Sequence, residues 1–444
     1  MSAQLRERHW FDDTVARNRE RLLDSDQAWL NRTREQARHA IRQLPVPDRK
    51  QEAWRYTDVT GLYQQELYSQ AAPVTGLVEE DIEHWVYSSR DSYRLVFANG
   101  CSVPTFSNIE LLPNTIKIGS LRAALTTDRD LVTSWLEHNA GQNPDVFTEL
   151  NRSLINDGLF IHVADNIELP LPIEVVYLNL SIDRDVLSQP HSLIVLGAGA
   201  KVKLIERFVS TGDSHYFFNG MSEVFLGAHA SLEHYRLQDE SPNAHHLSRV
   251  AVRQHSASEY RSHHIATGAR WHRSDIRVNF TGAQADCDLK GIYTVGERQY
   301  TDFHLDVQHT LPGCRSREDF RGIVSGQGRA VFDGRIVVHP EAQKTDAMLS
   351  NKNLLLAENA EVDTKPQLEI YADDVKCGHG TTVGKLDPDQ LYYLRSRGIS
   401  EVEAKRMLCL GFAEQILAQI DDPRLHDFIQ ARIASGLAPR RGQS

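Results

Sequence analysis

Leu196-Gly197-Ala198-Gly199-Ala200-Lys201-Val202 and, 30 residues on, Leu226-Gly227-Ala228-His229-Ala230-Ser231-Leu232 are two copies of one unit. Each runs from an apolar strand end through a corner of small residues and an alanine into a new apolar alternation. Looser copies stand at Ser256-Ala257-Ser258, Gly282-Ala283-Gln284-Ala285-Asp286-Cys287, Gly326-Gln327-Gly328-Arg329-Ala330-Val331 and Glu358-Asn359-Ala360-Glu361-Val362. Their Ala-to-Ala steps are 27, 28, 45 and 30, and the long step reads as an insertion. Such a period, with small residues at corners, predicts a stacked parallel β-helix: one coil cannot bury its inner face alone, and small corners let successive coils approach closely. The competing fold is a β-sandwich with coincidental turn spacing. In the solenoid, Val195, Val202, Phe225 and Leu232 are expected to point inward and form ladders between coils.

Working outward, strand grammar occupies residues 151–385, flanked by a helical and mixed domain at 1–150 and a helical domain at 386–444. Trp10, Val15, Leu22, Leu23, Trp29, Leu30, Ala37, Ile41 and Leu44 recur at near-helical spacing up to Pro45 and Pro47, which predicts an amphipathic helix. A strand is expected at Leu95 to Ala98 and helix at 119–138. Beyond the solenoid, Asp387 before Pro388 reads as a cap with Pro at the first helical position. Ser400 with Glu403 reads as a capping box opening a helix to about Ile420, and a third helix is expected from Arg424 to Ala434. The apolar stripe of the middle helix, with Leu408, Cys409, Phe412, Ile416 and Ile420, is broad enough to require a packing partner.

Composition removes several function classes. The 444 residues carry 49 Lys+Arg against 60 Asp+Glu, a net charge of −11, which argues against dedicated nucleic-acid binding. No uncharged apolar run is long enough for a membrane helix, and the first residues lack a secretory signal pattern, so the expected compartment is the cytoplasm. Five cysteines, scattered over the chain, predict reduced thiols.

The sharpest chemical signal is Cys377-Gly378-His379. If the segment from Leu368 to Lys376 continues as strand, residues 377 and 379 share a face with Cα atoms about 6.5 Å apart. A thiolate and an imidazole so placed suit iron, zinc or an iron–sulfur cluster, although two ligands do not close a site. A buried cysteine beside a surface histidine fits the same residues. The neighbouring Gly378 to Lys385 run resembles a phosphate loop, but its glycine spacing is wrong and Leu386 stands where Ser or Thr should bind magnesium. Of 20 histidines, those at 245, 246, 263, 264, 272, 304, 309 and 339 fall in the strand region, where a metal pocket is conceivable but those exposed in ladders are expected to be mostly solvated. Neither a nucleophile elbow nor a zinc-protease helix motif occurs, which favours a scaffold over an autonomous enzyme.

These residues also carry a resemblance. Lys344-Thr345-Asp346-Ala347, Ser350-Asn351-Lys352-Asn353, Asp363-Thr364-Lys365-Pro366-Gln367-Leu368-Glu369-Ile370, Asp374-Val375-Lys376-Cys377-Gly378-His379-Gly380 and Tyr393-Leu394-Arg395-Ser396-Arg397-Gly398-Ile399 resemble the C-terminal signature of the SufB/SufD iron–sulfur cluster assembly family. Glu52-Ala53-Trp54-Arg55-Tyr56-Thr57 is similar to the N-terminal motif of its SufD branch. Where the SufB branch carries a cysteine in the preceding coil and a Glu after the His, this chain has Ala360 and Gly380.

The resemblance implies a mainly β protein with a right-handed parallel β-helix core between helical ends. It implies a non-catalytic scaffold, paired with a SufB-like paralogue and with a SufC-like ABC ATPase that docks on residues 386–434 through Leu408, Phe412 and Ile416. A sulfur donor would act indirectly. Cys377 and His379 would serve a transient cluster or iron at the junction with SufB, and a flavin on the assembled complex is a further implied cofactor. Two alternatives stay open: a β-helix polysaccharide-active enzyme using Asp, Arg and His of residues 270–320, and a self-contained homodimeric cluster scaffold.

Overall fold

A computed structural model describes residues 3–22, 28–70, 74, 76–87, 91–109, 112–113, 115–138, 145–181 and 183–437. The strand alternation resolves into two ten-stranded sheets that the chain visits in turn, so that each coil contributes one strand to each. The first sheet runs from Cys101–Ser102 and Tyr93–Ala98 through Ile173–Asn179, Lys201–Ser210, Ser231–Asp239, Glu259–Ala266, Asp286–Val295, Arg315–Val324 and Asp346–Leu355 to Lys376–Gly384. The second runs from Ile116–Ser120 through Leu159–Val163, His191–Leu196, Tyr216–Leu226, His245–Gln254, Trp271–Phe280, Tyr300–His309 and Arg329–Val338 to Glu361–Ile370, with the short Val186–Ser188 alongside. Neighbours are parallel except at the start of each sheet. The protein is therefore a parallel β-helix, and its sheets begin with strands at 93–98 and 116–120, upstream of residue 151.

The corners explain the repeat. Gly199, His229, Ala257, Gln284 and Gly313 all take positive φ, and each donates its N–H to a corner carbonyl of the next coil at 2.8 to 3.1 Å. One buried column follows, made of Ala200, Ala230, Ser258, Ala285, Cys314 and Thr345, with steps of 30, 28, 27, 29 and 31. Ala257 is thus the left-handed residue beside the column. Ala330 and Ala360 belong to the opposite corner, at the start of second-sheet strands. The apparent insertion of 45 residues is one and a half coils of ordinary length, a jump from one sheet to the other.

Small residues at corners are sterically required. A Cβ on Gly282 would lie 1.9 Å from the Ser256 nitrogen, and one on Gly227 would lie 2.7 Å from the Ala198 nitrogen, both on the preceding coil. Since backbone cannot swing aside, Gly282→Ala is expected to cost on the order of 2 to 4 kcal/mol in urea unfolding. Gly411→Ala, with open space around its Cβ, should be neutral or slightly stabilising.

Side-chain phase corrects two of the expected ladder members. Val202 and Leu232 face the lumen in one column, but Val195 and Phe225 point out of the solenoid. They lie beneath Leu121–Thr127 and Arg129–His138, where Trp135 meets Phe225 at 4.6 Å. Helices cover the outer face here, so both phases of the strand are apolar and burial does not reveal which one points in. The N-terminal helix is likewise two, Ala3–Arg19 and Ala28–Gln43; Leu23 lies outside the described residues. Trp10, Phe11 and Phe147 anchor this region on Phe217 and Leu247 of the second sheet.

At the other end the caps form as read: Asp387 accepts from Asp389 N–H and Ser400 from Glu403 N–H. Helices follow at Pro388–Ser396, Glu401–Leu417 and Pro423–Gly436. The Glu403 carboxylate pairs with Arg406 instead of reaching back to complete the box. Among the described residues no helix is long and apolar enough to cross a membrane.

Candidate functional site at the open end of the solenoid

The last coil consists of Glu361–Ile370 in the second sheet and Lys376–Gly384 in the first. The expected continuous strand across residues 368 to 376 is broken by a corner at 371–375, yet Cys377 and His379 still fall two apart on one strand. Register puts Cys377 beside Ala347 and His379 beside Leu349, both inward-facing and buried, so both candidate ligands sit on the lumen side of the terminal rung. Cys377 is half-buried and His379 exposed, because among the described residues no further coil covers them. Burial raises the Cys377 thiol above its ordinary range, and Asp346 and Glu318 push in the same direction. The structure therefore brings the two residues together at an open mouth.

The backbone of this rung is unpaired outward. Lys376 N–H bonds the Thr345 carbonyl of the preceding coil, and in a parallel ladder alternate residues bond opposite neighbours. The N–H and C=O groups of residues 377, 379, 381 and 383 consequently point away from the solenoid. In the companion strand Glu361 and Tyr371 bond inward. Pro366 then faces out, where its missing N–H breaks no ladder bond. Among the described residues neither strand has a partner on its outer edge. Met348, Ile370, Tyr371 and Val383 are exposed around this end. An uncovered pair of strand edges is a template for another chain.

Behind the mouth the lumen carries ionisable groups that the alternation pattern alone did not flag. In the inward column Leu289, Glu318, Leu349, His379, Glu318 is 1% exposed. Neither of its carboxyl oxygens meets a donor at good hydrogen-bonding geometry. Burial pushes its pKa up to about 8, with Ser316 and Arg317 offsetting only part. Deeper in, Glu206 is fully buried against Arg236, with His234 Nε2 at 2.8 Å and the Tyr177 hydroxyl at 3.2 Å. Burial alone would raise its pKa, but Arg236 and His234 outweigh it and hold it below the usual range. The available signal was a charged residue on the apolar phase, as in Val202, Leu204, Glu206, Phe208.

Five of the eight histidines lie in the interior. His246, His263, His264, His272 and His309 are buried, and desolvation drives His263 and His309 down to about 3. Among the described residues no three His, Cys, Asp or Glu side chains are grouped so as to hold a metal ion. The five cysteines are free thiols, with Cys101, Cys287, Cys314 and Cys409 buried.

The C-terminal stripe is largely spent on the protein's own core. Ala413, Leu417, Ile420, Leu425, Ile429 and Ile433 pack on Ile205, Tyr235, Leu237, Ile265 and Ile292 of the first sheet. Ile416 is 1% exposed and so is not presented to a partner; Leu408 and Phe412 are half-buried, Phe412 beneath Arg321 at 5.1 Å. The expectation that Ile416 forms part of a docking face is corrected: a stripe reveals that a helix packs, not on what. The exposed apolar residues of these helices are Tyr392, Tyr393, Val402 and Met407. The Asp, Arg and His residues of 270–320 do line a cleft on the outer face of the second sheet, but they pair with one another, Arg273 and Arg249 with Asp275, Arg277 and Arg335 with Asp306.

Fold and site together define a class: a parallel β-solenoid with helical ends, whose last rung presents a thiol and an imidazole beside strand edges that are unpaired among the described residues. The family model for the SufBD core domain of the SUF system for FeS cluster assembly matches residues 179–412, and that for the SufBD protein N-terminal region matches 7–175. The chain belongs to the SufBD family of iron–sulfur cluster assembly proteins. It is 31% identical over 407 residues to the iron–sulfur cluster assembly protein SufD of Escherichia coli K12, covering 90% of this chain and 92% of that one. A SufBD family protein of Synechocystis is 30% identical over 398 residues (87% and 86%), and SufD of Bacillus subtilis 27% over 411 (88% and 90%).

Proposed function

We propose that this chain is the SufD-type, non-catalytic subunit of an iron–sulfur cluster assembly complex. Its open terminal rung pairs with the corresponding end of a SufB-like paralogue. Cys377 and His379 lie at that junction and supply part of the ligand set for incoming iron or a nascent cluster, which is cargo. The observation that carries the reading is that both residues occupy the same unpaired edge strand: a partner strand added to the outward N–H and C=O groups of 377, 379, 381 and 383 would bring its own side chains beside them. An imidazole and a thiol leave an iron site incomplete, so the remaining ligands come from the partner.

A SufC-like ATPase docks on the C-terminal helices through the exposed Tyr392, Tyr393, Val402 and Met407, with Leu408 and Phe412 at the margin. The short link from Gly384 to Asp387 joins this face directly to the strand bearing His379, so movement of an ATPase would reach the cluster site over a few residues.

Co-purification tests the assembly. Val402→Asp with Tyr392→Ala is expected to lose the ATPase while retaining the SufB-like partner, since both residues are exposed and support no core. Thr381→Pro, which removes an outward donor, should weaken the paralogue pairing and leave the ATPase bound. Retention of both partners by both variants would refute the docking assignments.

A further inference from the structure

The motif from Glu52 to Thr57 is fastened to the second sheet by one of its sides. Trp54 is buried with the Arg273 guanidinium 4.0 Å from its ring centroid, Arg273 Nη1 donates to the Ala53 carbonyl at 2.7 Å, and the Thr57 hydroxyl lies 3.1 Å from the Tyr300 hydroxyl. The other side is tied to the last coil by the Glu52–Lys365 ion pair. It forms a pocket of about 320 Å³ lined by Arg49, Lys50, Glu52, Arg55, Tyr56 and Lys365.

Charge in this pocket runs against that of the chain. Four cations face one carboxylate in a protein of net charge −11. Glu52 is taken by Lys365, which Asp333 also approaches at 3.5 Å, and Arg49 is paired from outside the lining by Asp58 at 3.2 Å. Counting Asp58 and Asp333 still leaves a net charge of +1. The Lys50 backbone N–H donates to Asp48 Oδ1 at 2.7 Å, but the Lys50 ammonium and the Arg55 guanidinium form no ion pair among the described residues; the Arg55 guanidinium lies against the Tyr56 ring, at 5.7 Å. Like charges gathered without counterions repel, and an anion bound among them relieves that repulsion.

The pocket also has a neighbour. Glu52 and Lys365 form a wall shared with a cleft of about 420 Å³, floored by Met221, Ala251 and the aliphatic stems of the paired arginines. That volume lies in the range of small-molecule sites. A carboxylate would engage one arginine, whereas a tetrahedral dianion with several acceptors can meet cations arriving from several directions.

We propose that the basic pocket and the adjoining cleft form one site for a small phosphate-bearing molecule, with the phosphate among Arg49, Lys50, Arg55 and Lys365 and the organic part over Met221 and Ala251. The chain's negative charge and the small volume of the cleft select a small ligand over a nucleic acid. Lys365 lies on the second-sheet strand of the last coil, whereas Cys377 and His379 lie on its first-sheet strand, and the site does not depend on the role proposed for them.

Calorimetric titration of the full chain with inorganic phosphate and with adenosine monophosphate tests the proposal. Both should bind, the nucleotide about tenfold more tightly, and both should weaken as salt is raised. The double variant Lys50→Gln, Arg55→Gln should weaken both by about tenfold or more with its circular dichroism unchanged. Ala251→Trp, which fills the cleft, should abolish the nucleotide's advantage and leave phosphate binding intact. Absence of saturation by either probe up to on the order of 10 mM, equal binding of the two, or indifference to the double variant would overturn it.

Discussion

A complex purified with His379→Ala should assemble at normal size and carry little or no cluster. The side chain is exposed at the mouth of the last coil and makes no contribution to the core, so its loss removes a ligand without unfolding an edge that is already open. Losing one of a small set of iron ligands is expected to reduce cluster content at least about tenfold, by analogy with the cost of disturbing metal-ligand shells. Iron, acid-labile sulfide and complex size measured on one sample separate the outcomes. Full cluster content in the variant would exclude His379 as a ligand, and loss of the complex would make it an interface residue. Cys377→Ser is the milder test. Burial raises the pKa of this thiol, so a cation must displace its proton for it to act as a ligand.

The second large effect is a pH dependence of folding stability governed by Glu318. In the unfolded chain this carboxyl ionises near 4.5, and in the folded lumen near 8. Between those values the folded state binds the extra proton, so stability is fully present below the unfolded pKa and falls as pH rises toward the folded one. The loss by pH 7 is on the order of 3 kcal/mol. Glu318→Gln keeps the shape and cannot ionise. Urea unfolding from pH 5 to 8 should therefore show a declining midpoint in the wild type and a flatter one in the variant, with the variant more stable at pH 8. Parallel profiles would show that Glu318 is already ionised in the fold. Glu206 works with the opposite sign: its lowered pKa contributes stability that is present at neutral pH and lost only in acid.

Much of the architecture was legible because it is local. Corner residues such as Gly227 and Ala230 repeat since every coil must turn and stack in the same way, and caps such as Asp387 and Ser400 act within four residues of themselves. What escaped is set by the second layer. The outward phase of Val195 and Phe225 depends on helices from another part of the chain covering that face. The burial of Ile416 depends on which sheet its helix meets, and the apparent insertion before Ala330 arose because both corners of a coil use the same small residues. For the site, Cys377 and His379 needed only two-residue strand periodicity to be placed together, whatever preceded them. Glu318 and the Glu206, Arg236, His234 cluster needed knowledge of which phase points into the lumen, and a single charged residue in an apolar alternation does not supply that.

In the proposed complex this chain provides part of a cluster site that a SufB-like partner completes. Anaerobic reconstitution with iron and sulfide, followed by the visible absorption spectrum, tests it most directly when the chain alone is compared with the chain mixed with that partner and with the partner alone. Cluster absorption from the mixture should exceed the sum of the separate proteins, and His379→Ala should remove the excess. The same absorption from this chain alone, or a mixture no different from the sum of its parts, would contradict it.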